Sequence, residues 1–168
     1  FMNIRNEIIF WYLNILKFIP GQIGCIIRNF LLPYKNGRSV RVSENVQIDT
    51  PSKLFIGDFV RINRGCILNS SGEIYIGDYC GIGPNGVIYS QNHNYWGEIT
   101  ELSDFKKNGY IRKKVIIGKN VWIGANAIIL PGVTIGDNSV ISAGSVVTKN
   151  IEANIMVGGK PARTLKVR

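Results

Sequence analysis

An aliphatic residue recurs at every sixth position over much of this sequence, and no other feature constrains the fold as strongly. The longest run is Ile117, Ile123, Ile129, Ile135, Ile141 and Val147. Shorter runs with the same step are Ile56, Ile62 and Leu68, then, after a two-residue slip, Ile76, Ile82 and Ile88, and more faintly Val42, Ile48 and Leu54. Neither the period of an α-helix nor the alternation of a single strand produces this spacing. The repeat therefore indicates a coil built from many short, equivalent sides.

Each six-residue unit accommodates one short strand and one corner. Four positions after the aliphatic residue, the side chains are small or β-branched, as a narrow interior requires: Val60, Cys66, Cys80, Val121, Ala127, Val133, Ser139 and Ser145. Glycine follows the aliphatic residue at many corners, where neighbouring chain comes close: Gly57, Gly77, Gly83, Gly118, Gly124 and Gly136. Three sides close a coil of about 18 residues, and stacked coils bury a continuous aliphatic column. The sequence thus predicts an all-β fold, a parallel β-helix of hexapeptide repeats.

Two segments lack the six-residue period: residues 94–114 and the N-terminal residues 4–32. We leave Phe1 out of fold reasoning because Met2 is the expected start. We divide the chain into a helical segment, residues 2–36, and a β-helix domain, residues 37–168. Within that domain, residues 94–114 form a protruding loop and residues 153–168 a C-terminal tail. Long irregular loops in compact domains are usually functional or disordered.

The apolar N-terminal stretch, residues 4–32, is broken by Pro20-Gly21 into two predicted helices. Neither half reaches the roughly 20 residues that a membrane span needs. One interpretation is that the helices cap the open end of the coil. The other is peripheral membrane contact, with apolar residues facing the lipid and Arg5, Lys17 and Arg28 facing the headgroups.

Composition limits the partners and the compartment. The formal net charge of +9 indicates an anionic partner. No helix-turn-helix, zinc-finger or aromatic RNA-binding signature is present, so nucleic acid is not expected. The three cysteines, Cys25, Cys66 and Cys80, are odd in number, and two of them fall at small-residue positions of the repeat. They predict buried thiols in a reducing compartment, the cytoplasm.

The single histidine, His93, lies in YSQNHNY at the base of the predicted loop. A neutral imidazole is suited to take a proton near pH 7, which makes His93 a candidate general base. An ordinary exposed loop histidine is the alternative on these grounds alone.

The stretch KVIIGKNVWIGANAIILPGVTIGDNSVISAGSVVTKNI, followed by MVGGKPARTLK, resembles the signature half of the hexapeptide-repeat acyltransferases. Within them it is most similar to the galactoside, maltose and virginiamycin acetyltransferase branch and its polysaccharide O-acetyltransferase relatives. The resemblance covers residues 38–168. It implies a left-handed β-helix, a homotrimer with intersubunit sites, acetyl-CoA as acyl donor and no metal.

The resemblance also implies a role for each matching residue. His93 would act on the acceptor as the catalytic base, and Asn63 would face acceptor and thioester across the subunit boundary, or serve as a corner residue that satisfies backbone groups. Trp122 would shape the cofactor and acceptor cleft. The remaining expected cofactor contacts are Ala125 and Ala143 through their amides, and Thr148, Lys160, Arg163 and Lys166 at the nucleotide end.

One departure from the family pattern leaves the acceptor open. A carboxylate that contacts the sugar in the galactoside enzymes has no equivalent, and Ser71 stands near its position. Glu98, Glu101 and Asp104 in the loop are candidates to orient His93 or bind sugar hydroxyls.

The function expected from the sequence is O-acetylation of a saccharide in surface-polysaccharide biosynthesis. Alternatives are N-acetylation of a nucleotide-linked amino sugar, serine O-acetylation, and a non-enzymatic trimeric scaffold. A metal-dependent carbonic anhydrase needs three histidine ligands, and the chain has one histidine.

Overall fold

The computed structural model describes residues 11–94 and 109–167, apart from residue 13. Within them the chain winds into a parallel β-helix of about five turns, as the six-residue period predicts. Three parallel sheets form its sides, because the same strand of each successive coil pairs with its predecessor. The architecture is consistent with the left-handed coil that the resemblance implies.

The strands are two to six residues long, and they are grouped here by sheet. The first sheet contains β1 (Lys35–Asn36), β4 (Leu54–Ile56), β7 (Ile74–Ile76), β12 (Val115–Ile117) and β15 (Thr134–Ile135). The second contains β2 (Arg41–Val42), β5 (Arg61–Ile62), β8 (Gly81–Ile82), β13 (Trp122–Ile123), β16 (Val140–Ile141), β18 (Ile155–Gly159) and β19 (Ala162–Val167), of which β19 is antiparallel. The third contains β3 (Gln47–Asp49), β6 (Ile67–Asn69), β9 (Val87–Tyr89), β14 (Ile128–Ile129) and β17 (Val146–Val147). A separate hairpin is formed by β10 (Gln91–His93) and β11 (Tyr110–Arg112).

The interior matches the predicted column. The aliphatic residues of the longest run are at most 2% exposed, and the predicted small positions are also buried. Two of these are serines whose hydroxyls donate to backbone oxygens: Ser139 Oγ to Glu152 O at 2.8 Å and Ser145 Oγ to Ser142 O at 2.7 Å. Serine is tolerated at these positions because each buried hydroxyl has an acceptor.

Coil length differs between the two halves of the solenoid. Lys35 pairs with Phe55, a step of 20 residues, whereas Ile116 pairs with Thr134, a step of 18. In the early coils the extra residues lie in the corner between the third and first sheets, where the first coil forms a short 3-10 helix, Pro51–Lys53. The two-residue slip in the sequence pattern is therefore a longer corner, and the sheets continue across it.

Two helices cover the open end of the coil. The break between them lies at residues 19 and 20, as the Pro20-Gly21 pair predicts. The first, α1, includes residues 11, 12 and 14–18, and the second, α2, is Gly21–Leu31. Leu16, Leu32 and Tyr34 join the hydrophobic core. No helix in the described part of the chain is long and apolar enough to cross a membrane.

Arg28 fastens these helices to the first coil, and its predicted position at lipid headgroups is wrong. Its side chain is fully buried and donates to three backbone oxygens: Val42 O at 2.9 Å, Leu16 O at 3.0 Å and Ile19 O at 2.7 Å. Its guanidinium points inward because carbonyls at the end of α1 and on β2 converge there, and five N–H groups in one plane can serve several of them.

Replacing Arg28 with methionine should lower the free energy of unfolding by about 3 kcal/mol, because three buried carbonyl groups lose a charged donor. Urea denaturation followed by circular dichroism measures the change. Arg41→Met is the matched control, since Arg41 is exposed, and a shift of no more than about 0.5 kcal/mol is expected there. Equal midpoints for Arg28→Met and the unmodified protein would contradict the anchoring role.

Candidate active site

His93 lies on a hairpin that leaves the solenoid at the corner between the third and first sheets, called here the third corner. β10 pairs with β11 in antiparallel register, His93 opposite Tyr110 and Gln91 opposite Arg112. The chain leaves the coil at Gln91, ahead of the predicted loop start at residue 94, because the residues before the loop pair with those that return from it. It rejoins the first sheet at Val115.

The imidazole lines a shallow pocket. Its ring centroid is 4.9 Å from that of Tyr110, with the planes tilted by 37°. The backbone N–H of His93 donates to Asn92 Oδ1 at 2.9 Å. The pocket has a volume of about 220 Å³ and is lined by Asn69, Tyr89, Gln91, Asn92, His93 and Tyr110. Of the predicted orienting carboxylates, Glu98, Glu101 and Asp104 lie outside the described residues.

A polar strip runs from this pocket along the outer side of the third sheet. Asp49, Asn69 and Tyr89 are paired in register on consecutive strands. The Asp49 carboxylate accepts from Asn69 Nδ2 at 3.4 Å and from Gln47 Nε2 at 3.1 Å. Asp49 is therefore one strand away from the His93 pocket. The sequence pattern missed it because nothing near Asp49 in the sequence marks it, and only the strand register brings it close.

Ser71, at the position of the missing carboxylate, lies at the same third corner one coil before the hairpin. Its hydroxyl is 3.2 Å from that of Thr50, and its carbonyl oxygen accepts from Lys53 Nζ at 3.0 Å. The third corner therefore presents hydroxyl groups on the coils that precede the His93 hairpin.

Asn63, Ala125 and Ala143 align along the corner between the second and third sheets, called here the second corner. Asn63 Nδ2 donates to Ile82 O at 2.8 Å, so this side chain does satisfy a backbone group of the next coil. The coils are tightly stacked, since a Cβ on Gly83 would lie 2.6 Å from the Ala125 nitrogen and one on Gly124 would lie 2.5 Å from the Ala143 nitrogen. Within the described residues, the N–H groups of Ala125 and Ala143 donate no hydrogen bond.

Trp122 lies on the outer side of the second sheet, paired with Gly81 and Val140, and is 52% exposed. A Cβ on Gly81 would lie 2.5 Å from the indole ring. Gly81, which has no side chain, therefore leaves the space that the ring occupies. Sequence reasoning selected the tryptophan and missed the glycine, which is not a corner residue.

The predicted nucleotide-binding residues lie at the far end of the solenoid. Thr148 is an exposed residue at the third corner of the last coil. On the terminal hairpin, Arg163 is opposite Gly158 and Lys166 is opposite Met156, and Lys160 is at the turn. All three cations are exposed, and in the part of the chain that is described none forms a salt bridge.

Two cysteines at corners of the coil are inert thiols: Cys66 at the second corner, and Cys80 at the corner between the first and second sheets. Burial raises the pKa of Cys66 to about 11, and burial also raises the pKa of Cys80 to about 11. The Cys66 thiol donates to Gly83 O at 3.2 Å. Because the thiolate is the reactive form, neither group is a nucleophile near neutral pH. Both are free thiols at repeat positions, as the sequence predicts.

One chain does not bring the candidate residues together. His93 is at the third corner, whereas Asn63, Ala125 and Ala143 are at the second, and the third sheet lies between the two edges. Its longer strands have three residues and span roughly 10 Å. Within one chain the two edges are therefore separated by the width of the third sheet.

Comparison with known proteins gives a consistent family assignment. Residues 114–149 match the family model for the hexapeptide repeat of succinyl-transferase. A search against curated protein sequences finds no significant match.

Several solved structures resemble the whole chain. A maltose O-acetyltransferase from Clostridium difficile 630 is 32% identical, with the match covering 93% of this chain and 84% of that one at a TM-score of 0.75. A galactoside acetyltransferase in complex with coenzyme A is 29% identical, over 94% of this chain and 79% of that one, at a TM-score of 0.79. A hexapeptide-repeat acetyltransferase from Vibrio cholerae O1 biovar eltor, complexed with acetyl coenzyme A, is 29% identical. The match covers 92% of this chain and 84% of that one, at a TM-score of 0.77. Fold, repeat and similarity along the chain agree, and this protein belongs to the hexapeptide-repeat acetyltransferases.

Proposed function

We propose that the protein transfers the acetyl group of acetyl-CoA to a hydroxyl of a saccharide, in the biosynthesis of a surface polysaccharide. The similar galactoside and maltose enzymes and the coenzyme A complexes among the solved structures support this donor and acceptor class. The observation that carries the proposal is the position of His93, on a hairpin at the edge of the solenoid and in a pocket lined by polar side chains.

In the proposed reaction, His93 removes the proton of the acceptor hydroxyl as its oxygen attacks the thioester carbonyl. A sugar hydroxyl is a poor nucleophile near pH 7, and an imidazole base is suited to this proton transfer. The C–O bond forms to give a tetrahedral intermediate. When that intermediate collapses, the C–S bond breaks, the acetyl ester remains on the sugar, and the imidazolium returns the proton to the coenzyme A thiolate.

The second corner supplies groups suited to the donor. The N–H groups of Ala125 and Ala143 have no acceptor in the described part of the chain, so they are available to the pantetheine arm or to the oxyanion of the intermediate. Trp122 would form a wall of the cleft. The exposed cations Lys160, Arg163 and Lys166, with Thr148, would bind the nucleotide and its phosphates.

The strip of Asp49, Asn69 and Tyr89 suits a saccharide acceptor. An aspartate and an asparagine accept and donate hydrogen bonds to hydroxyls, and a tyrosine ring offers an apolar surface to a sugar face. We propose that Asp49 supplies the carboxylate that the sequence comparison with the galactoside enzymes left missing.

We also propose a homotrimer, with the third sheet at the interface. Ile67, Val87, Ile128 and Val146 stand in register on the outer side of that sheet, half-buried in a single chain. Contact through this face brings the third corner of one copy near the second corner of the next. Such a heterologous contact closes into a ring when the rotation allows it, and each site would then combine His93 of one copy with Asn63 of its neighbour. Free, buried thiols agree with a cytoplasmic location.

An acceptor assay tests the reaction. Release of free thiol from acetyl-CoA is followed with a neutral saccharide, a matched amino sugar and serine. We expect release with the neutral saccharide and an acetyl group on the sugar that mild alkali removes, as for an ester. Turnover only with the amino sugar would favour the N-acetyltransferase alternative. Turnover only with serine would favour the serine O-acetyltransferase alternative. Absence of acetyl-CoA binding in calorimetry would favour the scaffold.

A further inference from the structure

In the described part of the chain, α1 and α2 carry a row of large apolar side chains that are mostly exposed. Trp11, Ile15 and Phe18 of α1, and Ile23, Ile26 and Phe30 of α2, are 61 to 86% exposed. Their spacings of three, four and seven residues place them on one stripe of each helix. We call these six residues the helix stripe.

The helices are held on the solenoid without this stripe. Besides Arg28, Asn29 Nδ2 donates to Val40 O at 2.8 Å, and Asn29 Oδ1 accepts from the Tyr34 hydroxyl at 2.7 Å. On the coil side, the Asn45 N–H donates to Lys17 O at 2.7 Å. None of these contacts involves a residue of the stripe, and all six stripe side chains are more than 60% exposed.

The border of the stripe is cationic. Between Ile8 and Ser43 the sequence has no aspartate or glutamate. Lys17 Nζ lies 5.1 Å from the Phe18 ring centroid, and Arg41 lines a groove beside Ile26. Lys35, four residues after α2, is exposed, and its Nζ lies 5.3 Å from the Phe55 ring centroid on the first sheet.

We propose that α1 and α2 dock this protein on the surface of a membrane that contains anionic lipids. Aliphatic and aromatic side chains on one helix face, with lysine and arginine beside them, match the interfacial region of such a membrane. A second copy of the chain fits this face less well, because it would bring the same cations together with no carboxylate in the segment to pair them. If the protein is the trimer proposed above, parallel coils present three such faces in one direction, and the faces bind together with enhanced avidity.

Vesicle flotation of the full chain tests the docking. We expect the protein to float with phosphatidylcholine vesicles that contain phosphatidylglycerol, and much less with phosphatidylcholine alone. The double variant Ile26→Gln/Phe30→Gln should lower the partition coefficient about 10- to 100-fold. Lys35→Gln/Arg41→Gln should lower it about 10- to 30-fold with the anionic vesicles only.

Ile116→Gln is the matched control, since Ile116 is a partly exposed aliphatic residue on the first sheet, away from the helices. It should float like the unmodified protein, and all variants should keep their thermal unfolding midpoints because the substituted side chains are outside the core. The proposal is overturned if the unmodified protein stays with the unbound fraction, or if Ile26→Gln/Phe30→Gln floats equally well. It is also overturned if the stripe instead holds copies together, so that the double variant reduces the molecular mass in solution. None of these readouts depends on acetyl transfer.

Discussion

Replacing His93 with alanine is expected to lower kcat for acetyl transfer by ~100-fold to ~10,000-fold, the usual effect of a lost general base. KM for acetyl-CoA should change little, because the proposed cofactor contacts are not on the His93 hairpin: they lie on the second sheet, at the second corner, in the last coil and on the terminal hairpin. Steady-state kinetics with acetyl-CoA and a neutral saccharide measure both constants.

The stability of His93→Ala should match that of the unmodified protein, since His93 is an exposed residue of β10. A control at the same hairpin is Arg112→Ala, which removes a hydrogen bond from Arg112 Nε to Gln91 Oε1 at 3.0 Å and leaves the imidazole in place. It should retain most of kcat. An unchanged kcat for His93→Ala would remove the histidine from the mechanism.

Introducing aspartate at Ile128 is expected to convert the proposed trimer to monomers and to reduce activity by at least about 100-fold. Ile128 is in the middle of the aliphatic row on the third sheet, and a carboxylate buried in an apolar contact without a partner is strongly unfavourable. Activity should fall with assembly, because each proposed site needs two copies. Sedimentation velocity and kinetics on the same samples check both effects.

Ile116→Asp is the matched control, because Ile116 is an outward-facing isoleucine on the first sheet and is 37% exposed. It should stay trimeric and active. If Ile128→Asp remains a fully active trimer, or if the unmodified protein is an active monomer, the third sheet is not the interface.

Mixed trimers distinguish an intersubunit site from a site within one chain. His93→Ala and Asn63→Ala would each be inactive alone. If the two residues act across the boundary, unfolding and refolding them together should restore activity at about one quarter of the sites, the fraction in which an intact His93 faces an intact Asn63. A site within one chain would show no recovery.

The sequence by itself determined the repeating architecture. Isoleucine, valine and leucine at every sixth position must all face inward to be buried, and small residues such as Ala127 and Ser145 fit only a narrow interior. The break at Pro20-Gly21 and the identity of the candidate base were equally accessible, because proline ends helices locally and the chain has one histidine.

The partners of those residues were decided only by the tertiary structure. Tyr110 meets His93 through antiparallel pairing of β10 with β11, Asp49 approaches the pocket through strand register, and Arg28 turns inward because carbonyls from the end of α1 and from β2 converge on it. Local patterns record which way a side chain points within its own strand or helix. They carry no information on which distant strands pair or which distant backbone groups remain to be satisfied, and these long-range contacts position the polar side chains named here.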